Sequence, residues 1–497
     1  MGRFANKRLL PAAATAAVVL TLAPLLSSPA LSDEIFTLEA AALPWSALWP
    51  HLQADVHPPL YYLAVKLWLW APAPHLEWLR AFSLAMAALA VWLAGRILPQ
   101  AAPARPWASW ILAADGILLM MSVYGRMYAM LAALCALAWL ASDRALRTTG
   151  RGWPLLAASG VAAGLLTHHF FALFLAALAV WLVLIHGRSA ARLAPAWAAA
   201  VAVWALVWGR TAWDQLTRRP QHLAWVPPAE FEKWVEIVGA HIIFLCAAIP
   251  IALAVLAWRR PPSAPWPRES GAAALAAALV LALPGFISLW RPVLNARFTI
   301  IAAPLLAVAL APLGSLTSGA LPVAAFAAAA AWLYWPGGQS GCTSAQAARL
   351  LAAKSTATDT VLFCRMTRKP VEYHWPAPAP LRRSFPAEID DHPGYEGRQP
   401  LEQLHEEARS LARSLHGRLF VLADSTRTPS QILIRALEET GFRPRPPLLA
   451  CPSAGKHYFD HLLVFDPPLN PAGSPSASPP APGSPPPGPA ARAYAPR

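Results

Sequence analysis

The stretch Leu76–Leu98 is apolar for longer than the about 20 residues that a helix needs to cross a bilayer, and it is one of many such stretches. In lipid a run of this kind must be helical, because only internal hydrogen bonds can satisfy its backbone. Trp107–Leu140 is too long for one crossing and too apolar for a loop. It is read as two spans, broken at Ser122-Val-Tyr-Gly-Arg126. Trp153–Ile185 needs a break as well, and Thr167-His-His169 is its polar point. Further spans fall at Pro195–Trp208, Val235–Trp258, Ala272–Trp290, Phe298–Leu313 and Leu321–Trp335. With the N-terminal run Leu9–Leu31 they predict an α-helical polytopic membrane protein of about 11 spans. Composition agrees: 13% of residues are charged, against about 25% in a soluble domain.

The N-terminal segment Met1–Arg8 is basic, and Ser28-Pro-Ala-Leu-Ser32 ends the first apolar run with small residues, as in a signal peptide. The run is longer than a signal-peptide core, so a retained first helix is expected. Either reading leaves Asp33 outside the cytoplasm. Lys and Arg then set the orientation. One set of loops carries Arg96 and Arg105; Arg144, Arg147 and Arg151; Arg188 and Arg192; and Arg259, Arg260 and Arg268. By the positive-inside rule this set is cytoplasmic, with the N-terminus. The alternate loops are external: Asp33–Val56, Tyr124–Arg126, His168–His169, Thr211–Trp234 and Leu289–Arg297. The net charge of +14 thus belongs to the membrane and needs no nucleic-acid partner. His57–Ala71 is too short to span and would invert every later loop, so it is expected as a helix on the outer membrane face. The expected setting is a bacterial inner membrane.

Residues 1–335 are therefore the transmembrane domain, with 32–75 as its first external loop. Residues 336–467 read as a small C-terminal α/β periplasmic domain. Its strands are Thr360–Cys364, Leu419–Leu422 and Leu462–Phe465, and its helices Leu401–Leu415 and Ser430–Thr440, the second closed by Gly441. Residues 468–497 are Pro/Ser/Ala-rich and expected to be disordered. A periplasmic location allows one disulfide, for which Cys364–Cys451 is the candidate pair. No GxGxxG, P-loop or Cys/His zinc spacing is present.

Several spans deliver ionisable groups to one depth on the external side, and such groups near lipid tend to mark function. Asp33 and Glu34 follow the first span directly. Asp55 and His57 stand together in Asp55-Val-His-Pro-Pro-Leu-Tyr-Tyr-Leu63. With Tyr124-Gly-Arg-Met-Tyr128 and Arg297-Phe298, these strings resemble the GT-C glycosyltransferases. The closest likeness is to the protein O-mannosyltransferase-like branch, which includes bacterial enzymes that decorate lipopolysaccharide core or lipid A. The resemblance runs from about Asp33 to Leu313. One departure is Gly125, where similar proteins usually carry an acid.

The resemblance implies a polyprenyl-phosphate sugar donor and a lipid, glycan or protein hydroxyl acceptor reached from the periplasm. The acceptor hydroxyl must lose a proton as it attacks the anomeric carbon, and a carboxylate within reach can take it. One base with direct displacement inverts the centre. Asp33 is the expected base, Glu34 would orient acceptor or base, and Asp55 is the second candidate. The leaving lipid phosphate needs cations and donors at the membrane surface. Lys66, Arg126, Arg297 and His168-His169 are expected there, with His57 and Tyr124 beside them. A bridging metal would suit this chemistry, but no ligand set is readable, so no metal or cofactor is assigned. The external loop Thr211–Trp234, with Asp214, Arg218, Arg219, His222 and Trp225, reads either as a lid or as a solvated connector.

Two other functions compete. Asp115 lies within a span, as ion-pathway acids do in transporters. A transporter would show two related halves, and none is visible. A non-catalytic scaffold or sensor would have no use for Asp33, Asp55 and His57 at the membrane face. Mannose, galacturonic acid and aminoarabinose fit these residues equally well.

Overall fold

The computed structural model describes residues 9–70, 75–217, 230–258, 266–334, 342–375, 380–387, 399–452 and 459–468. The chain enters as α1 (Leu10–Leu22), extended by a tight turn at Ala23–Ser27. Three short helices follow: α2 (Ser32–Ala42), α3 (Trp45–Ala54) and α4 (Leu60–Trp68). Pro59 precedes α4, where a missing N–H costs nothing. This helix is the one expected on the outer face. Helices α2 and α3 carry too few residues of regular apolar period to be foreseen.

The bundle continues with α5 (His75–Ile97), α6 (Trp107–Ala113), α7 (Gly116–Ser122) and α8 (Tyr128–Arg147). The break expected at Ser122–Arg126 is present. A second break lies at Ala114-Asp115, where the Asp115 side chain accepts Leu118 N–H at 2.8 Å and caps α7. Next come α9 (Gly152–Thr167), α10 (Phe171–His186), α11 (Ala194–Trp204) and α12 (Arg210–Thr217). The break between α9 and α10 falls at His168-His169. Helices α13 (Phe231–Ala247) and α14 (Ile249–Trp258) occupy one expected span, but the chain bends there by 42°. Pro250, lacking an N–H, sits at this bend. Then come α15 (Arg268–Ile287), a tight turn at Phe298–Ala302, α16 (Ala303–Leu316) and α17 (Ala320–Leu333).

Among the described residues, 6 helical segments are long and apolar enough to cross a membrane, or up to 7 with the bent pair. One of them, Phe171–Gln215, is 45 residues long and turns at Gly187, where φ is 57°. Small residues let the central helices approach closely, as where Gly160 of α9 rests on Ala138 of α8.

The C-terminal part holds α18 (Ser344–Lys354), β1 (Thr360–Cys364), α19 (Arg368–His374), β2 (Leu381–Phe385), α20 (Leu401–Ser414), β3 (Leu419–Ala423), α21 (Thr428–Glu439), β4 (Arg443–Ala450) and β5 (His461–Asp466). The sheet order is β2-β1-β3-β5-β4. The first three strands run parallel, and β5 is antiparallel to both β3 and β4. Strand β4 begins Arg-Pro-Arg-Pro-Pro, a composition that a sheet tolerates only at its edge. Gly441 closes α21 with φ 92°. The Asn470–Arg497 tail lies outside the described residues.

The disulfide joins Cys342 to Cys451, which corrects the expected Cys364–Cys451 pair. Side chains alternate across a sheet. Cys364 points to the face packed on Leu404 and Leu433, whereas Cys342 and Cys451 lie on the other face with Phe363 and Phe420. Among the contacts that seat this domain on the membrane part, Ala30 N–H donates to His374 Nε2 at 3.1 Å, Ser344 Oγ donates to Ala30 O at 3.0 Å, and Lys369 Nζ donates to Glu39 Oε2 at 2.5 Å.

Candidate active site

Helix α2 starts immediately after the first span, and its first turn presents Asp33 outward and Glu34 inward. Glu34 is fully buried. Its carboxylate accepts Arg80 Nε at 2.7 Å, Arg80 Nη2 at 2.6 Å, Gly125 N–H at 2.8 Å and Leu31 N–H at 3.0 Å. Arg80, from α5, spends its remaining donors on the carbonyls of Leu26, Ser28 and Pro29. A carboxylate so saturated has no lone pair for an acceptor molecule. The expected orienting role of Glu34 is thus limited to the protein side: it ties α2 to the turn that carries Arg126.

That turn also explains Gly125. A Cβ there would lie 2.5 Å from Leu79 Cδ2 and 3.4 Å from Glu34 Oε1. An acid at this position has no room, and the acid that meets this turn comes instead from Glu34.

Asp33 remains partly open. Its Oδ2 accepts Arg297 Nη1 at 2.7 Å and the Tyr124 hydroxyl. Burial pushes its carboxyl up, but Arg297, Arg126 and the Tyr124 hydrogen bond outweigh it and hold the group at about 2. Arg126 Nη1 reaches Asp33 O, Thr37 Oγ1 and the Tyr62 hydroxyl, each at 3.3 Å. Three elements distant in sequence therefore converge on one carboxylate.

The Tyr62 hydroxyl continues the chain by donating to Asp55 Oδ2 at 2.9 Å, and His57 Nδ1 lies 3.3 Å from the same oxygen. Burial lowers the His57 imidazole even though Asp55 works the other way. The His57 ring stands 5.6 Å from that of His168. His168 Nδ1 accepts Phe170 N–H at 3.2 Å, which leaves its proton on Nε2. Burial, then His57, His169 and Arg126, pull His168 well below the usual range. Its Nε2 and the Nε of Arg126 are buried donors without a partner among the described residues.

His169 is held through Gln215, whose Oε1 lies 3.2 Å from His169 Nε2 and whose Nε2 donates to Asp55 O at 2.6 Å. Burial is the main cause that lowers His169 to about 4. Gln215 belongs to the start of the loop expected as a lid; Arg218, Arg219, His222 and Trp225 lie outside the described residues.

Lys66 is not part of this cluster. Its Nζ donates to Ala41 O at 2.9 Å and to Leu43 O, at the C-terminal end of α2, and it stands 4.9 Å from the Trp45 ring. It borders a separate open groove of about 350 Å³ lined by Leu38, Ala41, Trp45, Trp70 and His75. Sequence reasoning missed Arg80, Tyr62 and Gln215. Tyr62 stands within the Asp55–Leu63 motif, and Arg80 is a charge inside a span, which is itself a signal.

No protein-family model matches the chain, and no curated protein matches it. Solved structures do. ArnT from Cupriavidus metallidurans bound to undecaprenyl phosphate superposes with a TM-score of 0.55 at 13% identity, covering 94% of this chain and 99% of that one. The same protein in the apo state gives 0.55 at 11% identity, with 94% and 98% covered. The fold is therefore like that of ArnT, in keeping with the fold class expected from the sequence motifs.

Proposed function

We propose that this GT-C-folded chain is a membrane glycosyltransferase that moves a sugar from a polyprenyl phosphate to a hydroxyl acceptor on the periplasmic face. The observation that carries the reading is Asp33 held by Arg297 at 2.7 Å beside Arg126 and Tyr124. One carboxylate and a set of oxyanion donors, all at the external ends of spans, suit a base and a departing phosphate. The ArnT neighbour's bound undecaprenyl phosphate supports the lipid class of the donor. The loop charges support an orientation with the N-terminus inside and the C-terminal domain outside, and we read the membrane as a bacterial inner membrane.

A carboxylate held at about 2 is a weak base. The donor's phosphate would relieve this. As it draws Arg297 and Arg126 onto its own oxygens, Asp33 loses the cations that depress it and becomes basic only when a donor is present. The acceptor's O–H proton then passes to Asp33 as its oxygen bonds the anomeric carbon. The bond from that carbon to the phosphate oxygen breaks, and the pair of electrons leaves on the phosphate. His168 Nε2–H and Arg126 Nε–H supply unspent donors for donor oxygens.

A second base is favoured by one contact. Asp55 fixes Nδ1 of His57, which leaves Nε2 as a neutral acceptor in the manner of an Asp–His pair.

The test is release of polyprenyl phosphate by purified protein in nanodiscs, from a panel of polyprenyl-phosphate sugars with a membrane lipid extract as acceptor. Asp33→Asn should lower release by about 10²–10⁴-fold while the protein stays folded. Release that survives Asp33→Asn but fails in both Asp55→Asn and His57→Gln would move the base. No release from any donor by the native protein would sink the function.

A further inference from the structure

The two cationic arms that reach Asp33 come from separate parts of the bundle. Tyr124 and Arg126 leave the end of α7, and Arg297 precedes the turn Phe298–Ala302. A third set of buried polar groups, which the chemistry above does not use, runs between them. Asp115 Oδ1 caps α7 through Leu118 N–H. Its Oδ2 lies 2.7 Å from His241 Nδ1 on α13, and His241 Nε2 lies 3.1 Å from Thr299 Oγ1. Thr299 Oγ1 also lies 2.8 Å from Ala296 O, which ties the same hydroxyl to the Arg297 turn. The Arg297 turn is further closed by its backbone N–H on Asn295 Oδ1 at 3.0 Å. Asp115, His241 and Thr299 are all buried.

The helices are also pressed together at this point. A Cβ on Gly116 would lie 2.3 Å from Ala240 O, one residue before His241. Only glycine lets α13 come this near to the start of α7.

The geometry points to Asp115–His241–Thr299 as a brace that sets the spacing between the Tyr124-Arg126 arm and Arg297, and so the width of the anion site around Asp33. These are positioning residues: they touch neither Asp33 nor any group placed in the chemistry. The same bonds give Asp115 a structural use in place of the ion pathway of a transporter. A buried carboxylate whose oxygens cap a helix and hold an imidazole is an anchor.

The brace itself stands on the geometry; only its consequence for the anion rests on the proposed function. Two readouts keep these apart. Hydrogen exchange of ligand-free protein, followed by mass spectrometry, should rise at residues 295–302 and 122–127 in Thr299→Val and His241→Phe, and return to native levels in Thr299→Ser. Undecaprenyl phosphate binding in nanodiscs should weaken about tenfold in the first two variants and recover in Thr299→Ser, with the melting temperature held within a few degrees. Unchanged exchange at both segments would overturn the brace. Exchange that rises everywhere, with an equal fall in melting temperature, would also overturn it, by reducing the role to general stability. If native protein does not bind undecaprenyl phosphate, the proposed function fails while exchange still decides the brace.

Discussion

Arg80 closes on both carboxylate oxygens of Glu34, Nε to Oε1 at 2.7 Å and Nη2 to Oε2 at 2.6 Å, and neither side chain is open to solvent. Removing one member of such a pair strands a buried charge, which costs about 3–5 kcal/mol. Arg80→Met and Glu34→Leu are each expected to unfold at much lower temperature in detergent, or to fail to accumulate. The double variant should recover part of that loss, because two well-packed apolar groups leave no charge unpaired. A double variant no better than either single one would count against the pair as a unit.

Gly125 lets the Arg126 turn lie on Leu79. Gly125→Ala adds a methyl where the nearest Leu79 atom is 2.5 Å away. Overpacking of this kind costs about 1–3 kcal/mol. The melting temperature should fall, and Leu79→Ala in the same chain should restore part of the clash energy. A neutral Gly125→Ala would mean that Leu79 has a free rotamer.

His57, His168 and His169 are all kept neutral, chiefly by burial. In the unfolded chain each takes a proton near pH 6.5, so between there and its lowered value the unfolded state binds more protons. Stability is full above about pH 6.5 and is lost as the pH falls; for His169 the loss continues down to about 4. Melting temperature measured from pH 7.5 to 4.5 should decline, and more gently in His169→Gln. A flat profile would place these imidazoles in contact with water.

The Cys342–Cys451 bond closes a loop with a sequence separation of 109. Removing a native bridge from a small domain costs about 2–5 kcal/mol. Cys342→Ser and Cys451→Ser should each make the C-terminal domain more sensitive to protease, and Cys364→Ser should not. Labelling of Cys342 and Cys451 by a thiol reagent in unreduced cells would contradict both the bond and an oxidising compartment.

Much of this was legible in the sequence for a simple reason: lipid forces each apolar run to be helical, so the breaks at Ser122–Arg126 and Thr167–His169 could be read directly. The meeting of Asp33, Tyr124, Arg126 and Arg297 was readable through short motifs. What stayed hidden depends on pairing across the fold. Arg80 meets Glu34 46 positions away, Gln215 reaches Asp55 across 160, and His241 reaches Asp115 across 126. No period or spacing encodes such partners. The disulfide was misassigned because the face on which a cysteine points depends on strand boundaries within one residue.

The seat of the C-terminal domain sets an order of events. Ala30, three residues before Asp33, is gripped by Ser344 and His374, which lie 314 and 344 positions later. At synthesis rates of about 5–20 residues per second, roughly 20–70 s separate the two ends of the longer bond. The segment that leads into the acid's helix is made early but gains these two hydrogen bonds late. A nascent chain that has passed Arg297 but not Ser344 thus carries every side chain around Asp33 without these two bonds, which wait on the last third of translation.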